Sequence, residues 1–472
     1  MRIELHNIGP VRAADIDFGN LTVFVGPNNS GKSLTAAVMY AILNAGSFPF
    51  RITRPRLQRG EEKSDWEHAS SELMDLAIGS RESNKAPQYE ELSESTRELL
   101  DRQIEEFTNR FLGGLFQNLE QSTGVPVMSL RRIQKKATQG EIKVFMDYPK
   151  WGVTIRLKGR RPSYDIDRPD MRDLWNILRT REWRRLSRRW TGDSPPFDPF
   201  RDAVTRLANL CLSDYPRHAK YLPAARSGIM QAHKTLAGTL VRRSSMAGLQ
   251  DMQIPAMSGV VTDFLGEMVE LEASRQPGYF EEQARELEQN ILKGKIRLDE
   301  TQGGYSEVLY QSENNEFPLS RTSSMVSELA PVVLYLRNVL FPQDALVFEE
   351  PEAHLHPATQ IILAQQVAEL VNKGLKMILT THSEFFLQQL NNAIVAGSVD
   401  EDSVANAGLS PSTRLDPADV RAYYFGQTSV GTVVQSLPIS EHEGVAEESF
   451  DRISERLYRE TVALDREKSE QQ

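Results

Sequence analysis

The stretch Leu21-Thr-Val-Phe-Val-Gly-Pro-Asn-Asn-Ser-Gly-Lys-Ser33 decides the reading of this chain. It opens as a short apolar strand, passes through Gly26-x-x-x-x-Gly31-Lys32-Ser33, and runs on into the helical pattern Leu34 to Leu43. Strand, loop and helix in that order are the setting in which this spacing binds a polyphosphate. The two glycines let the segment Gly26, Pro27, Asn28, Asn29, Ser30, Gly31, Lys32, Ser33 curl so that main-chain N–H groups point inward. The start of the helix adds a favourable dipole behind them. Lys32 is the cation expected on the β- and γ-phosphates, and the Ser33 hydroxyl is the expected Mg²⁺ ligand. A Gly/Asn turn that binds nothing is the bland alternative, and the flanking strand and helix count against it.

A phosphate loop does not say what the bound energy is used for, so a second feature is needed. Ala345-Leu-Val-Phe-Glu-Glu350 reads as a buried strand that delivers two adjacent carboxylates to its end. Glu349 suits the coordination shell of the metal, and Glu350 suits polarising an attacking water. A strand ending in a solvated acidic turn is the competing reading. A third feature, Thr380-Thr-His-Ser383, follows the apolar strand Leu375–Leu379 and places His382 at a strand end as a γ-phosphate sensor. Ser383 is also a natural N-cap for the helix that follows.

At 472 residues the chain is too long for one ordinary core, which predicts two or three lobes. Its formal charge of −10 gives no general affinity for nucleic acid, so any basic surface must be local. The single cysteine, Cys211, excludes a disulfide framework and a multi-cysteine zinc site; it reads as a small buried hydrophobe in a reducing, cytoplasmic protein. The start Met-Arg-Ile-Glu-Leu-His carries no apolar signal region, and no apolar run is long enough to span a membrane.

Taken in order, residues 1–45 give the N-terminal part of a nucleotide-binding head, with strands at Arg2–Asn7 and Ala14–Phe18. Residues 46–293 read as a mostly helical insertion with helices near Trp66–Ile78 and Glu90–Leu119 and a β-hairpin near 141–158. Within it, Arg156–Arg189 holds twelve Lys/Arg against five acidic residues, with Trp175 and Trp183 inside the run and Trp190 after it. Such a segment could track a DNA or RNA backbone while its tryptophans stack on bases. It could equally be an arginine-laced helix whose tryptophans pack inward, or a docking face for an acidic protein. Residues 294–395 return to the head with a short meander, the segment Ser320–Ala330, a helix over Ala330–Leu340, and the acid and histidine motifs. Residues 396–472 read as a Ser/Asp/Pro-rich linker (396–418), a terminal hairpin and a closing helix. The pair His354-x-His356 has no third ligand at suitable spacing, so a metal site is rejected there.

Gly26–Ser33, Leu346-Val-Phe-Glu-Glu-Pro-Glu-Ala-His-Leu-His-Pro357 and Leu379-Thr-Thr-His-Ser383 together resemble ABC-type ATPases of the RecF/SMC/OLD-like group. The resemblance covers residues 1–45 and about 319–395. It implies an α/β P-loop head with a mixed sheet, a β-rich N-terminal lobe and a large, mostly helical insertion. It also implies ATP and Mg²⁺, and a homodimer or higher even oligomer joined through the heads, in which each loop faces a serine-bearing segment of the opposite head. Here that segment is Ser323-Ser324-Met-Val-Ser-Glu328. It lacks the paired glycines of transporter heads, and Glu349 stands where an aspartate is commoner. Tyr221-Leu-Pro-Ala-Ala-Arg-Ser-Gly228 also looks like a recurrent element of the group, with Arg226 either reaching phosphate or substrate or serving as a buried structural arginine. The function implied is an ATPase gating a separately encoded effector, such as a nuclease, in anti-phage defence or DNA repair. A nucleotide-gated scaffold with little hydrolysis and a transporter subunit are the alternatives.

Overall fold

The strand Leu21–Val25 forms where its sequence predicts it, with all five side chains buried. In the computed structural model, which describes residues 1–46, 61–83, 88–131, 139–147, 150–178, 198–213, 215–231, 257–271, 278–300, 306–313, 315–446, 455–464 and 468, the chain divides into two units. One comprises Met1–Ile8, Ala41–Leu119 and Val127–Pro216. The other comprises Gly9–Tyr40, Glu120–Pro126 and Arg217–Gln472.

The second unit is the head. Its strands follow the order Val11–Asp17, Gly431–Ser436, Val420–Thr428, Leu21–Val25, Lys376–Thr381, Ala345–Glu349, Ala219–Leu222. From Val420–Thr428 to Ala219–Leu222 the pairings are parallel. Parallel strands must be covered on both faces, which is why Leu21–Val25 and Ala345–Glu349 are buried throughout and, apart from Thr22 and the terminal Glu349, apolar rather than alternating. Helices Ser324–Asn338, Pro357–Asn372 and Glu384–Gly397 supply buried faces to the same core, which joins Val23, Phe348 and Leu379 to Leu329, Leu363 and Phe386. The register has one functional consequence. Val25 is opposite Thr381 and Glu349 is opposite Thr380. Three strands from distant parts of the sequence therefore end at one level, and the crevice beyond such ends is where α/β sheets bind ligands.

Some expectations change here. The helix expected from Ala330 begins at Ser324, and Pro331 lies inside it. Proline usually marks a first turn, but every residue from Val326 to Leu336 is buried, and this packing carries the helix through. The segment 396–418, expected as a linker, holds the helix Glu401–Asn406 and the short turns Pro411–Thr413 and Pro417–Asp419. Its Ser/Asp/Pro content is capping chemistry: Asp400, Ser410 and Asp416 each accept a main-chain N–H at a helix start. Asn372 donates to the carbonyls of Ser412 and Arg414, both at 2.7 Å, and Leu415 is fully buried. The hairpin Val420–Thr428 with Gly431–Ser436 lies within the head sheet beside the loop strand. The meander forms as expected, as Lys295–Glu300, Ser306–Ser312 and Asn315–Pro318.

The other unit contains the antiparallel strands Arg2–Ile8, Gln139–Asp147, Lys150–Lys158 and Arg161–Asp167 in the order first, second, third, fourth, with the helix Glu61–Ser83 and, up to Leu119, the helix Glu94–Thr123. The hairpin near 141–158 thus gains a third strand out of the basic run. Trp151 packs against Phe107 and Phe111 and donates from Nε1 to the Cys211 carbonyl at 2.9 Å. Cys211 is buried, and burial pushes its thiol up to about 12. Among the described residues no helix is long and apolar enough to cross a membrane.

Candidate functional site

Glycine is required at both ends of the loop. Gly26 has φ +135° and Gly31 φ +98°; a Cβ would meet the Phe425 carbonyl oxygen at 2.9 Å in the first case and Pro10 Cγ at 2.7 Å in the second. Asn29, at φ +59°, also takes the left-handed conformation that asparagine tolerates better than most residues. Pro10 and the loop from Asn28 to Leu34, with Glu350, Glu352 and His382, line an open cavity of about 750 Å³. Lys32 bends over the loop and donates from Nζ to the carbonyls of Gly26 and Pro27, both at 2.9 Å. Burial lowers its pKa to about 8, against the pull of Glu350, Glu352 and Glu349.

Glu349 is the last residue of its strand. Burial pushes its carboxyl above the ordinary range, while the Ser33 hydroxyl, the Ala224 N–H and the Tyr221 hydroxyl oppose the shift. Ala224 donates to Oε2 at 3.2 Å, whereas Oε1 is buried with no well-formed hydrogen bond among the described residues. A buried, unsatisfied carboxylate oxygen close to a serine hydroxyl fits a hard divalent cation, which takes oxygen ligands. His354 and His356 have other occupations. His354 Nε2 lies 3.8 Å from Glu328, and His356 caps the helix Pro357–Asn372 by accepting from Ala358 at 3.3 Å.

Glu350 has φ +41° although a proline follows it. Residues before proline favour extended backbone, and a left-handed non-glycine residue costs about 1–2 kcal/mol. The surroundings hold it there. Its N–H donates to the Thr380 carbonyl at 2.9 Å and lies 3.2 Å from Thr380 Oγ1. Its carbonyl accepts from Ala353 at 3.0 Å and from Arg226 Nη2 at 3.1 Å. The strain thus sits at the residue whose side chain enters the cavity.

His382 Nε2 lies 3.6 Å from Glu350 Oε1. Burial, then the nearby Lys32 charge, lower its pKa, partly offset by Glu350 and the Gly26 main chain. The residue that sequence reasoning missed is Glu352. Its Oε1 accepts from the His382 N–H at 2.6 Å and from Thr381 Oγ1 at 2.9 Å, and burial pushes its carboxyl up. The only signal in the sequence was a third acid just past Pro351. Arg226, left open between phosphate contact and structural arginine, is fully buried and lies on main-chain carbonyls.

Ser323 and Ser324 are not part of the cavity. Both are exposed at the start of the helix Ser324–Asn338, where Ser323 Oγ accepts from Val326 at 3.4 Å. Three of the six described Lys/Arg of the basic run are ion-paired, and Lys158, Arg160 and Arg161 are exposed. Arg156 meets Asp165 and Glu141, Arg168 meets Glu105, and Arg172 meets Glu90. Trp175 is fully buried near Tyr89 and cannot stack on a base. Trp183, Trp190 and the remainder of the run lie outside the described residues.

A phosphate-type loop opening a helix, with acids and a histidine at the ends of neighbouring parallel strands, defines an α/β P-loop ATPase fold with an inserted unit. The chain belongs to the family of the AAA ATPase domain, whose model matches residues 1–387. No curated protein matches it. Similar solved structures include an SMC head bound to the C-winged helix domain of ScpA, at 13% identity and TM-score 0.39, covering 93% of this chain and 98% of that one. The SMC head domain from Thermotoga maritima is similar at 11% identity and TM-score 0.36, with the same coverage. An Smc head with an extended coiled coil, bound to the C-terminal domain of ScpA derived from Pyrococcus furiosus, is similar at 13% identity and TM-score 0.36, covering 97% and 98%.

Proposed function

We propose that this protein binds ATP with Mg²⁺ in the cavity above the strand ends and hydrolyses it. The observation that carries this reading is the convergence of Lys32, Glu350, Glu352 and His382 on one cavity, from segments far apart in sequence. In it, the loop N–H groups and Lys32 hold the phosphates, Glu350 orients and polarises the attacking water, and His382, neutral near pH 7, hydrogen-bonds the terminal phosphate. Ser33 and Glu349 would hold Mg²⁺, which would neutralise phosphate charge. Each part suits positioning and electrostatic stabilisation, which is most of what phosphoryl transfer needs.

Ser323 and Ser324 support a second element of the proposal. They are exposed at a helix start, outside their own cavity, so they suit a nucleotide held by a second copy of the chain. ATP then closes a homodimer, and hydrolysis opens it. A separately encoded effector, in anti-phage defence or DNA repair, is the output such a switch would gate. In the described part of the basic run, the buried Trp175 and the ion-paired Arg156, Arg168 and Arg172 give no support for nucleic acid.

Single-turnover ATP hydrolysis tests the reading. Glu350→Gln should bind ATP and lower the rate about a hundredfold or more. Equal rates for the two proteins would instead support a scaffold that uses ATP only to dimerise.

A further inference from the structure

Arg226 and Glu328 form a buried ion pair, Nε to Oε2 at 2.9 Å, with essentially no exposed side chain on either partner. Such a pair is costly to bury and earns little stability over an apolar pair of the same size, so its placement needs another reason. The guanidinium is shared among several groups. Nε donates its hydrogen bond to the Glu328 carbonyl at 3.2 Å, Nη1 to the Pro223 carbonyl at 3.2 Å and the Glu349 carbonyl at 2.8 Å, and Nη2 to the Glu350 carbonyl at 3.1 Å. Its plane lies near the Phe348 ring, 4.9 Å from the centroid. One side chain therefore fixes the main chain of both strand-end acids. Glu328, on the helix that Ser323 caps, holds that side chain from the other side, and His354 approaches Glu328 at 3.8 Å.

From this geometry we infer that Arg226 is a positioning residue that keeps Glu350 in its left-handed conformation, and that Glu328 couples this alignment to the helix bearing Ser323 and Ser324. A shift of that helix, such as closure of a second head on its serines, is passed through Glu328 and Arg226 to the carbonyl of Glu350. Arg226 itself touches no nucleotide. The inference rests on the ATPase reading above and adds its regulation.

A double-mutant cycle tests it, using single-turnover hydrolysis at saturating Mg-ATP and binding of a non-hydrolysable ATP analogue. Lysine keeps the charge but cannot serve four carbonyls and a carboxylate together. Arg226→Lys should lower the rate about tenfold or more while the analogue affinity stays within about threefold. In the Glu350→Gln background the same substitution should cost no more than about twofold, because the residue it positions is already disabled. Glu328→Gln, nearly isosteric, should give the same pattern and carries the cycle if Arg226→Lys does not fold. An equal loss in both backgrounds, or an affinity that falls in step with the rate, overturns the inference and leaves the ATPase reading intact. A wild-type rate for Glu350→Gln alone overturns the ATPase reading itself.

Discussion

Glu352 accepts the main-chain N–H of His382 at 2.6 Å, so the turn after one strand fixes the turn after the next. The contact is made to backbone, and the Thr381 hydroxyl adds a second bond to the same oxygen. It sets where the imidazole sits relative to Glu350 without touching the ring. Replacing Glu352 with alanine leaves two buried donors without an acceptor, which costs about 1–3 kcal/mol for each group left unpaired. Glu352→Ala should therefore lower thermal stability and also reduce kcat by more than it changes KM. Calorimetry with steady-state kinetics checks both. A variant with full kcat would show that the carboxylate is structural only.

His382 gives a pH dependence with a definite sign. Its pKa in the folded chain lies below the ordinary 6.5 because burial and Lys32 disfavour the imidazolium. The neutral ring therefore persists to more acidic pH than in the unfolded chain. As pH falls, the unfolded chain takes up the proton first, so this group withdraws stability below about 6.5. Hydrolysis should be flat through neutrality and fall only at acid pH, and His382→Ala should lower the rate about tenfold or more and flatten that acid limb. The full rate–pH profile of both proteins is the measurement.

Lys32 behaves differently. Its folded pKa of about 8 means that the unliganded amine is half neutral at that pH. A polyphosphate selects the ammonium form, so affinity should weaken as pH rises through about 8, by up to tenfold per unit above it. Stability of the free protein moves the other way: between about 8 and 10.5 the unfolded chain holds more protons at this site, so its contribution rises with pH. Titration of a non-hydrolysable ATP analogue from pH 7 to 9.5 checks the first statement. Lys32→Ala should abolish most of the binding and remove the pH dependence.

How much of this was legible depends on whether a feature is local. The loop, the two strand-end acids and the strand before His382 are each written in a few consecutive residues, and each lies where that local pattern predicts. The helix expected from Ala330 shows the limit of local patterns, because only the burial of Val326 through Leu336 carries the helix Ser324–Asn338 across Pro331. The strand Arg161–Asp167 has no buried residues and little alternation to announce it; pairing with Lys150–Lys158 defines it. Glu352 and Arg226 act on the main chain of residues far along the sequence, and no spacing rule records such a contact. The left-handed Glu350 is likewise invisible, since a proline after it argues for extended backbone.

The tryptophans of the basic run supply a prediction about stability. Trp175 is fully buried beside Tyr89, with ring centroids 6.3 Å apart. Trp175→Ala should destabilise the protein by about 3–5 kcal/mol, the usual cost of emptying a buried aromatic site. Any change in DNA or RNA affinity should track the unfolded fraction rather than precede it. Urea unfolding alongside a nucleic-acid binding titration separates the two, and loss of affinity in a fully folded variant would revive the stacking role.

The two serines make separable predictions, because Ser323 has a capping bond and, among the described residues, the Ser324 side chain has none. Ser323 caps the helix through its bond from Val326, and Ser323→Ala should cost about 1 kcal/mol in the monomer. Ser324 is exposed in the first turn of the same helix. Ser324→Ala should therefore leave the monomer's stability unchanged within about 0.5 kcal/mol. Its effect should appear in the ATP-bound dimer. In a Glu350→Gln background, light scattering with ATP should report a dimer that Ser324→Ala weakens about tenfold, whereas neither protein should dimerise without nucleotide. A dimer that forms equally with and without ATP, or one indifferent to both serines, would remove these residues from the nucleotide site and with them the reason for closure of one head upon another.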